Sequence, residues 1–354
     1  MRPVTDFLDS AVAAGAAPGA VLGIFRAGVR FVYGTGQLGA DQPVRPGEET
    51  VYDLASLTKV VALVPAAMLA VEEDRLELDA PVEQYLPNFS GGDKSRVTVR
   101  MLLAHAGGLP AWRPLFREAH SRAEAFALAD STPLESSPGS AAGYSDLGAI
   151  VLTQIIEAVY RERLDSLLER RVYGPLGMRS TSYLPPQELR DRIAPTELDP
   201  WRGRVLQGEV HDENAAVMDG VSGHAGLFSS AGDLLTYGEW LVQEWYGAGA
   251  AVPQVRRSIV HEFARRQNLA AGSSRALGWD TPSGEESSAG HLLSRDSFGH
   301  TGFTGTSLWI DPQRRLVIVL LSNRVNPTRS NPRWSPVRGA IADLVITTLF
   351  QDAR

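Results

Sequence analysis

The sequence contains no cysteine and only two lysines among its 354 residues. Without cysteine there can be no disulfide, no thiolate nucleophile and no cysteine-bound zinc or iron-sulfur site, so nucleophilic chemistry must come from oxygen or nitrogen. The lysines are Lys59 and Lys94, and the other 32 basic residues are arginine. A lysine amine can lose its proton whereas arginine cannot, so Lys59 is a candidate for proton transfer. The alternative is an ordinary lysine lying along a helix flank.

Long apolar runs and basic clusters are also missing. The longest apolar run, Val60 to Val71, falls short of the roughly 20 residues of a membrane-spanning helix, so no membrane partner is expected. The net charge is −7 and no basic run could neutralise a row of phosphates, which excludes nucleic acid as the expected partner. Asp6 and Asp9 interrupt the segment where a signal peptide would be apolar, which predicts a cytoplasmic protein.

The two ends of the chain carry strand patterns and the middle carries helical patterns. The periodicity predicts an α+β fold in which an antiparallel sheet is flanked by N-terminal and C-terminal helices, with a mostly helical region inserted between the sheet halves. We expect residues 1–50 and 290–354 to form the sheet region, and residues 51–289 to form the helical region with the active-site loops, within one catalytic unit. Predicted strands cover residues 20–25, 29–33, 307–310 and 316–322, and predicted helices cover residues 4–12, 57–71, 99–105, 147–159, 164–171, 234–245 and 337–350.

The sharpest local signal is a serine and a lysine three residues apart at the start of an apolar helical run. Ser56 and Lys59 would share one face of that helix, and Ser56 would also lie at the positive end of the helix dipole. A hydroxyl is a weak nucleophile unless a base lies within hydrogen-bonding distance, and the amide of such a serine can stabilise an oxyanion. The alternative is that Ser56 only caps the helix. Pro65 predicts a kink in this helix near Val61.

Two further motifs follow at residues 143–148, which contain Tyr144, and at residues 299–305, which contain His300. With Ser56-x-x-Lys59 they resemble the Ser-x-x-Lys, Tyr-x-Asn and Lys/His-Thr-Gly motifs of the serine β-lactamase and penicillin-binding protein family, especially its class C, DD-peptidase and esterase (family VIII-like) branch. Segments 101–110, with a structural His105, and 220–233 extend the resemblance over nearly the whole chain. The resemblance implies the β-lactamase/DD-peptidase-like fold.

The resemblance also assigns roles to individual residues. It implies that Ser56 is acylated and that Lys59 and Tyr144 share its proton. His300, Thr301 and Gly302 would form the strand on the far side of the cleft, with Thr301 and Gly302 binding substrate. The oxyanion donors would be the backbone amides of Ser56 and Phe303. The alternative for Tyr144 is a half-buried tyrosine of the core.

Two positions depart from the family motifs. Asp146 stands where asparagine is usual; it would face the substrate without offering a donor to an amide oxygen, and it would favour a charged Lys59. Lys59 could then act as an electrostatic clamp while Tyr144 or Asp146 takes the proton; alternatively, Asp146 caps the helix that starts beside it. His300 replaces lysine and would titrate near neutrality, which makes an anionic substrate optional, and Phe303 adds apolar bulk.

The resemblance implies a serine hydrolase that works through an acyl-enzyme on Ser56, and the two departures favour small carboxylic esters as its substrates; no cofactor is expected. The alternatives are an amide hydrolase, either a weak β-lactamase or a D-amino acid peptidase, and a penicillin-binding module without turnover. A metal site is a further alternative, but we expect none because the spacing of the candidate ligands matches no metal motif; these candidates are His211, Asp212, Glu213 and His224. A Ser-His-Asp hydrolase is disfavoured because the chain has no Gly-x-Ser-x-Gly.

Overall fold

Five antiparallel strands from the two ends of the chain form the main sheet of the protein. A computed structural model describes residues 1–249, 253–284 and 287–350. The strand order is β2-β1-β10-β9-β8, and the N-terminal and C-terminal segments meet where Ala20 pairs with Ser322 and Arg26 pairs with Leu316. The bounds are β1 Gly19–Arg26, β2 Val29–Gly36, β8 Phe298–Thr301, β9 Ser307–Asp311 and β10 Leu316–Ser322.

Helices cover both faces of this sheet because β1 alternates two sets of apolar side chains. The remaining bounds are α1 Arg2–Ala13, α2 Val64–Glu72, α3 Val99–Leu103, α4 Arg122–Ser131, α5 Asp146–Tyr160, α6 Leu164–Leu168, α7 Gly174–Leu176, α8 Glu213–Val217, α9 Ala231–Trp245, α10 Arg257–Ala264 and α11 Ser335–Phe350. Leu22 and Ile24 pack with the core beneath the terminal helices α1 and α11, whereas Val21 and Phe25 join the larger core that includes α9. The predicted α+β fold with flanking terminal helices is confirmed.

Three short segments from the middle of the chain form a second, smaller sheet, which the sequence patterns did not predict. Its order is β3-β7-β4, with β3 at Val51–Asp53, β4 at Ser182–Tyr183 and β7 at Leu227–Ser230. Leu198–Asp199 (β5) and Arg204–Val205 (β6) form a separate two-stranded pair. Strands of two to four residues show too few alternations for a periodic signal. The β3 strand ends three residues before Ser56, so this small sheet anchors the predicted nucleophile.

The helix after Ser56 begins with a wider turn than predicted. Residues Lys59–Leu63 form a π-helical turn, and α2 follows with Pro65 in its first turn. Proline has no amide hydrogen to continue the regular ladder, so the irregularity lies where the kink was expected. The freed carbonyls have other donors: the Tyr237 hydroxyl donates to Val60 O at 2.6 Å and the Tyr173 hydroxyl to Val61 O at 3.2 Å. Two buried tyrosines therefore hold the helix that carries Lys59.

Other parts of the predicted organisation are only partly tested. The helix predicted over residues 164–171 continues from α6 into a second π-helical turn at Glu169–Tyr173. The glycine- and serine-rich composition of residues 271–290 predicts a surface loop. The described part contains no helix or strand, but residues 276–279 are buried, and residues 285–286 lie outside the described residues. The division into regions 1–50 with 290–354 and 51–289 stays a prediction. None of the helices in the described ranges combines the length and the apolar character needed to cross a bilayer.

Candidate active site

A tight turn after β3 presents Ser56. The Asp53 carboxylate accepts a hydrogen bond from the Ala55 amide at 2.8 Å, and Ala55 has a φ of 46°. A non-glycine residue with positive φ is strained, so the surrounding bonds must hold it in place. The Lys59 amide then donates to Ser56 O at 3.1 Å as the helical turn begins. This geometry directs the Ser56 side chain away from the small sheet and into a cleft.

The Ser56 hydroxyl oxygen has two side-chain partners. The Tyr144 hydroxyl donates to Ser56 Oγ at 2.6 Å, and Lys59 Nζ donates to it at 3.2 Å. Thr58 stands at the cap position of the helical segment, and its side chain makes no capping hydrogen bond. The cap interpretation of Ser56 is therefore wrong. The structure brings together the three residues that the first two motifs predicted, although 88 positions separate Ser56 from Tyr144.

Lys59 is buried and surrounded by acceptors. Its side chain is 2% exposed, and Nζ donates to Asp146 Oδ1 at 2.7 Å and to the His224 carbonyl oxygen at 3.0 Å, besides Ser56 Oγ. Burial lowers the pKa of Lys59, but the Asp146 carboxylate and the Tyr144 phenol outweigh burial and raise it above its ordinary value. Lys59 is therefore an ammonium at neutral pH.

Tyr144 is positioned by the loop that precedes α5. His105 accepts a hydrogen bond at Nδ1 from the Ser145 amide at 3.1 Å, and its ring centroid lies 4.8 Å from that of Tyr144. Burial, reinforced by the nearby positive charges of Arg275 and Lys59, brings the pKa of His105 well below its ordinary value, so the imidazole stays neutral. Burial raises the pKa of the Tyr144 phenol, which keeps its proton at neutral pH. His105 thus has a structural position, and the core interpretation of Tyr144 is wrong.

Asp146 lies beside Lys59, as the prediction that its charge favours an ammonium at Lys59 required, but it does not cap the helix. The cap of α5 is Ser145, whose hydroxyl oxygen accepts from the Gly148 amide at 3.1 Å, so the cap interpretation of Asp146 is wrong. Asp146 is the first residue of α5, and its Oδ1 is bound to Lys59. The cleft-lining residues that the structure describes do not include Asp146, whereas Thr301 and Gly302 do line the cleft. Asp146 therefore contacts the predicted catalytic lysine, and its contact with substrate stays a prediction.

His300 lies on edge strand β8, at the opposite side of the cleft from the Ser56 helix. Its Nδ1 donates to the Thr301 carbonyl at 2.7 Å, and its ring centroid lies 5.9 Å from that of Tyr144. Burial lowers its pKa to about 3, helped by the charges of Arg275 and Lys59. The prediction that His300 titrates near neutrality is therefore wrong, because the sequence did not reveal these charges. With Nδ1 protonated, the buried Nε2 is a free acceptor without a partner among the described residues.

The two predicted oxyanion donors flank one close backbone contact. A β-carbon at Gly302 would lie 2.3 Å from Leu54 O and 2.1 Å from the Thr306 hydroxyl, so only glycine allows this approach. The Thr306 hydroxyl also donates to Leu54 O at 2.9 Å, which ties the end of β8 to the turn before Ser56. Within the described ranges, neither the Ser56 amide nor the Phe303 amide donates to a backbone carbonyl. Two amide donors are thus left available beside the Ser56 hydroxyl.

Three arginines that the motifs did not indicate line the same cleft, whose volume is about 390 Å³. Arg275 lies over the Tyr144 ring, with its guanidinium carbon 5.5 Å from the ring centroid. Arg324 donates to the Phe303 carbonyl at 2.8 Å, and Arg338, from α11, donates to the Gly302 carbonyl at 2.6 Å. Burial and the neighbouring Arg324 lower the pKa of Arg338 to about 10, so it remains charged at neutral pH. No sequence signal distinguished these three among 32 arginines.

The residues considered as metal ligands form other contacts. His224 Nε2 lies 2.9 Å from Asp212 Oδ1, and His211 Nε2 lies 3.5 Å from Glu197. Glu213 pairs with Arg329 at 2.8 Å. In the part of the chain that the structure describes, no group of three or more His, Asp or Glu side chains is placed to hold a metal ion. These residues buttress the segments beside Lys59, because the His224 carbonyl accepts from Lys59 Nζ.

Comparison with known proteins places this site in a family. The family model described as Beta-lactamase matches residues 4–343. The chain belongs to the β-lactamase family. It is 33% identical over 343 residues to a protein of Escherichia coli K12 named "Putative D-alanyl-D-alanine carboxypeptidase", and the match covers 87% of this chain and 77% of that protein. It is therefore a serine hydrolase of the β-lactamase family, as the three motifs predicted.

Solved structures show the same fold at low sequence identity. A class C β-lactamase from Rhodobacter sphaeroides is 22% identical, with a TM-score of 0.77 and coverage of 99% of this chain and 100% of that one. EstCE1, described as a hydrolase with promiscuous acyltransferase activity, is 22% identical, with a TM-score of 0.76 and coverage of 96% and 98%. These likenesses show that the chain has the β-lactamase fold.

Proposed function

We propose that this β-lactamase-family hydrolase forms an acyl-enzyme on Ser56 and cleaves small carboxylic esters, preferring esters that carry a carboxylate. The observation that carries the acyl-enzyme is the contact of Ser56 Oγ with Tyr144 at 2.6 Å and Lys59 at 3.2 Å. A hydroxyl oxygen that accepts from a phenol and an ammonium is held in place for attack, and the phenol is placed to give its proton to a leaving group.

The reaction would proceed in two stages. Ser56 Oγ attacks the carbonyl carbon, and the oxygen charge that develops is stabilised by the Ser56 and Phe303 amides. The bond to the leaving group then breaks, and its oxygen takes a proton from Tyr144, which keeps that proton at neutral pH. Water afterwards cleaves the acyl-Ser56 ester, which releases the acid and restores the hydroxyl.

The ester preference is supported by the position of Asp146. A side-chain amide at this place in the family motif would donate to a substrate amide, but Asp146 is a carboxylate and is bound to Lys59. The structural likeness to EstCE1, described as a hydrolase with acyltransferase activity, agrees with ester chemistry.

The carboxylate preference is supported by the charge of the cleft. Three arginines line it, at positions 275, 324 and 338, against one carboxylate, Asp280. The Arg275 to Asp280 distance is 3.8 Å, so Arg275 is not held in a close bidentate pair there. A guanidinium in a narrow cleft binds a carboxylate through charge-assisted hydrogen bonds. The same observation favours a second candidate, a D-amino acid carboxypeptidase, in agreement with the name of the E. coli relative.

Four matched substrates separate these candidates. They are N-acetyl-D-alanyl-D-lactate, N-acetyl-D-alanyl-D-alanine and the uncharged C-terminal amides of both. We expect kcat/KM to be higher for the two lactate esters than for the two matched D-alanine peptides. Within each of these pairs, the compound with a free carboxylate should have a kcat/KM about tenfold or more above that of its C-terminal amide. Faster cleavage of the D-alanyl-D-alanine peptide bond than of the lactate ester would favour the carboxypeptidase.

The control for this panel is Ser56→Ala, which should lower turnover by about 10⁴-fold or more. An intact-mass measurement after incubation with a fluorophosphonate should show one label on the wild type and none on the variant. Labelling without turnover of any of the four substrates would instead favour a binding module. The cytoplasmic location stays a prediction of the sequence.

A further inference from the structure

The Ser56 hydroxyl must lose a proton when it attacks, and Lys59 has no free position to receive it. An ammonium has three N–H donors and no acceptor. Lys59 Nζ has three acceptors within hydrogen-bonding distance: Asp146 Oδ1 at 2.7 Å, the His224 carbonyl at 3.0 Å and Ser56 Oγ at 3.2 Å. The match of three donors to three acceptors is the pattern of a protonated lysine, so Lys59 can accept the Ser56 proton only if it releases one of its own.

Asp146 is the group to which Lys59 can release a proton. Among the described groups near Lys59, Tyr144 holds its proton, and neither the His105 nor the His300 ring is hydrogen-bonded to Nζ; their lowered pKa values also make both imidazoles weak proton acceptors. The positive charge of Arg275 lowers the pKa of both imidazoles, and Arg275 itself cannot accept a proton. Asp146 Oδ1 forms the shortest of the three contacts with Nζ, and its side chain is 16% exposed.

We infer that Asp146 acts through Lys59 as the final proton acceptor in a Ser56–Lys59–Asp146 relay. The inference rests on the proposed acyl-enzyme. As the bond from Ser56 Oγ to the substrate carbon forms, the hydroxyl proton passes to Lys59 Nζ and a second proton passes from Nζ to Asp146 Oδ1. The carbonyl π electrons move to the oxyanion, Lys59 remains an ammonium, and Asp146 becomes a carboxylic acid.

The second half of acylation returns this proton. Collapse of the tetrahedral intermediate breaks the bond to the leaving group, whose oxygen takes the Tyr144 proton. The Asp146 proton then passes through Lys59 to the phenolate of Tyr144, and the original charges are restored. The net result is acyl-Ser56 and a neutral alcohol that carries the former Ser56 proton. Asp146 contacts Lys59 and neither Ser56 nor the substrate carbon, so it acts only through Lys59 and we class it as a positioning residue.

The test compares the pH dependence of kcat/KM for the wild type, Asp146→Asn and Asp146→Glu, with N-acetyl-D-alanyl-D-lactamide as substrate. This ester has no group that titrates between pH 4 and about 10, so the limbs of the profile belong to the enzyme. Asparagine restores the usual family residue but cannot accept a proton, whereas glutamate keeps the carboxylate. A merely structural role of Asp146 would lower activity without moving a limb.

In the wild type the relay needs a carboxylate and no neutral amine, so the acidic limb of kcat/KM should lie on the acidic side of neutrality. In Asp146→Asn the reaction requires an unprotonated Lys59, so the acidic limb should move by about two or more pH units towards alkaline pH. The rate at pH 7 should fall by about tenfold or more, and Asp146→Glu should keep the limb of the wild type.

Two results would overturn the relay. One is an Asp146→Asn profile whose acidic limb coincides with that of the wild type, and the other is a wild-type limb above about pH 8, which would identify a neutral lysine as the base. The second result needs no variant, so the test holds even if Asp146→Asn does not fold. Fluorophosphonate labelling of Ser56 separates the two hypotheses: absence of the label contradicts the acyl-enzyme, and a labelled enzyme with an unmoved limb contradicts only the relay.

Discussion

The two walls of the cleft differ in how completely their polar groups are paired. The helix wall is lined by Ser56 and Tyr144, with Lys59 and Asp146 bonded behind them. Each of these four side chains is hydrogen-bonded to another member of the wall. Folding therefore fixes the reacting groups within about 3 Å of each other before any substrate binds, which is the condition for efficient proton transfer.

The strand wall consists of His300, Phe303 and the arginines at positions 275, 324 and 338. It contains buried atoms without partners among the described residues, namely His300 Nε2 and Arg338 Nε. It also carries three positive charges on one side of a narrow cleft. Unpaired buried donors and acceptors reduce the stability of the protein unless a ligand pairs with them. We therefore propose that the helix wall performs the chemistry and the strand wall binds the substrate.

The largest effect expected from this comparison belongs to Tyr144→Phe on the helix wall. The substitution removes the hydroxyl that lies 2.6 Å from Ser56 Oγ and keeps the ring. Because a positioned acid or base contributes about 10² to 10⁴-fold, kcat for N-acetyl-D-alanyl-D-lactate should fall by about that factor. KM should change by less than about threefold, since the strand wall is untouched. Steady-state kinetics at pH 7 would measure both constants.

A matched control for this prediction is Tyr237→Phe. It removes a fully buried hydroxyl, which donates to Val60 O at 2.6 Å in the same helical segment and does not line the cleft. We expect this variant to unfold at a lower temperature and to keep kcat within about twofold, because it removes a structural hydrogen bond and no reacting group. An equal loss of kcat in both variants would mean that Tyr144 acts only by holding the helix.

A smaller effect, on KM rather than kcat, is expected for Arg275→Gln on the strand wall. The loss of one guanidinium should raise KM for N-acetyl-D-alanyl-D-lactate by about tenfold, which corresponds to about 1.4 kcal/mol, and leave the uncharged lactamide unaffected. Arg275→Lys keeps the charge and should lose less. Arg30→Gln makes the same change of net charge at a surface pair with Glu239, and it should alter neither substrate. Equal weakening of both substrates would contradict a carboxylate site.

The sequence predicted the helix wall better than the strand wall. Ser56, Lys59 and Tyr144 lie in short motifs whose residue types and spacing indicate their chemistry, and the structure brings them together. Arg275, which faces them, comes from an irregular loop with no motif. An isolated arginine in a chain with 32 arginines carries no local signal, because its role depends only on tertiary packing.

The same reasoning explains which predictions about single residues were wrong. For Asp146 the helix-cap interpretation was wrong, whereas the predicted place beside Lys59, a partner 87 positions earlier in the chain, was right. His300 was expected to titrate near neutrality. This was wrong because its burial and the nearby charge of Arg275 are properties of the folded chain that the sequence does not show. The fold class was predictable, since paired strands at both termini and helical periodicity between them are visible over long segments.

The smallest expected effect concerns the protonation of His300 on the strand wall. Its pKa of about 3, caused by burial and by the charges of Arg275 and Lys59, implies an imidazole that stays neutral between pH 8 and 5. An NMR titration of its ring should show no midpoint in this range, whereas the urea-unfolded chain should titrate near about 6.5. Because the folded pKa is depressed, this group costs the fold stability as the pH falls from about 6.5 towards 3. Arg275→Gln should raise the midpoint, since one positive charge is removed, and Arg30→Gln should not. A wild-type midpoint near 6.5 would add a titrating cation to the strand wall, and carboxylate binding would then weaken with rising pH across neutrality.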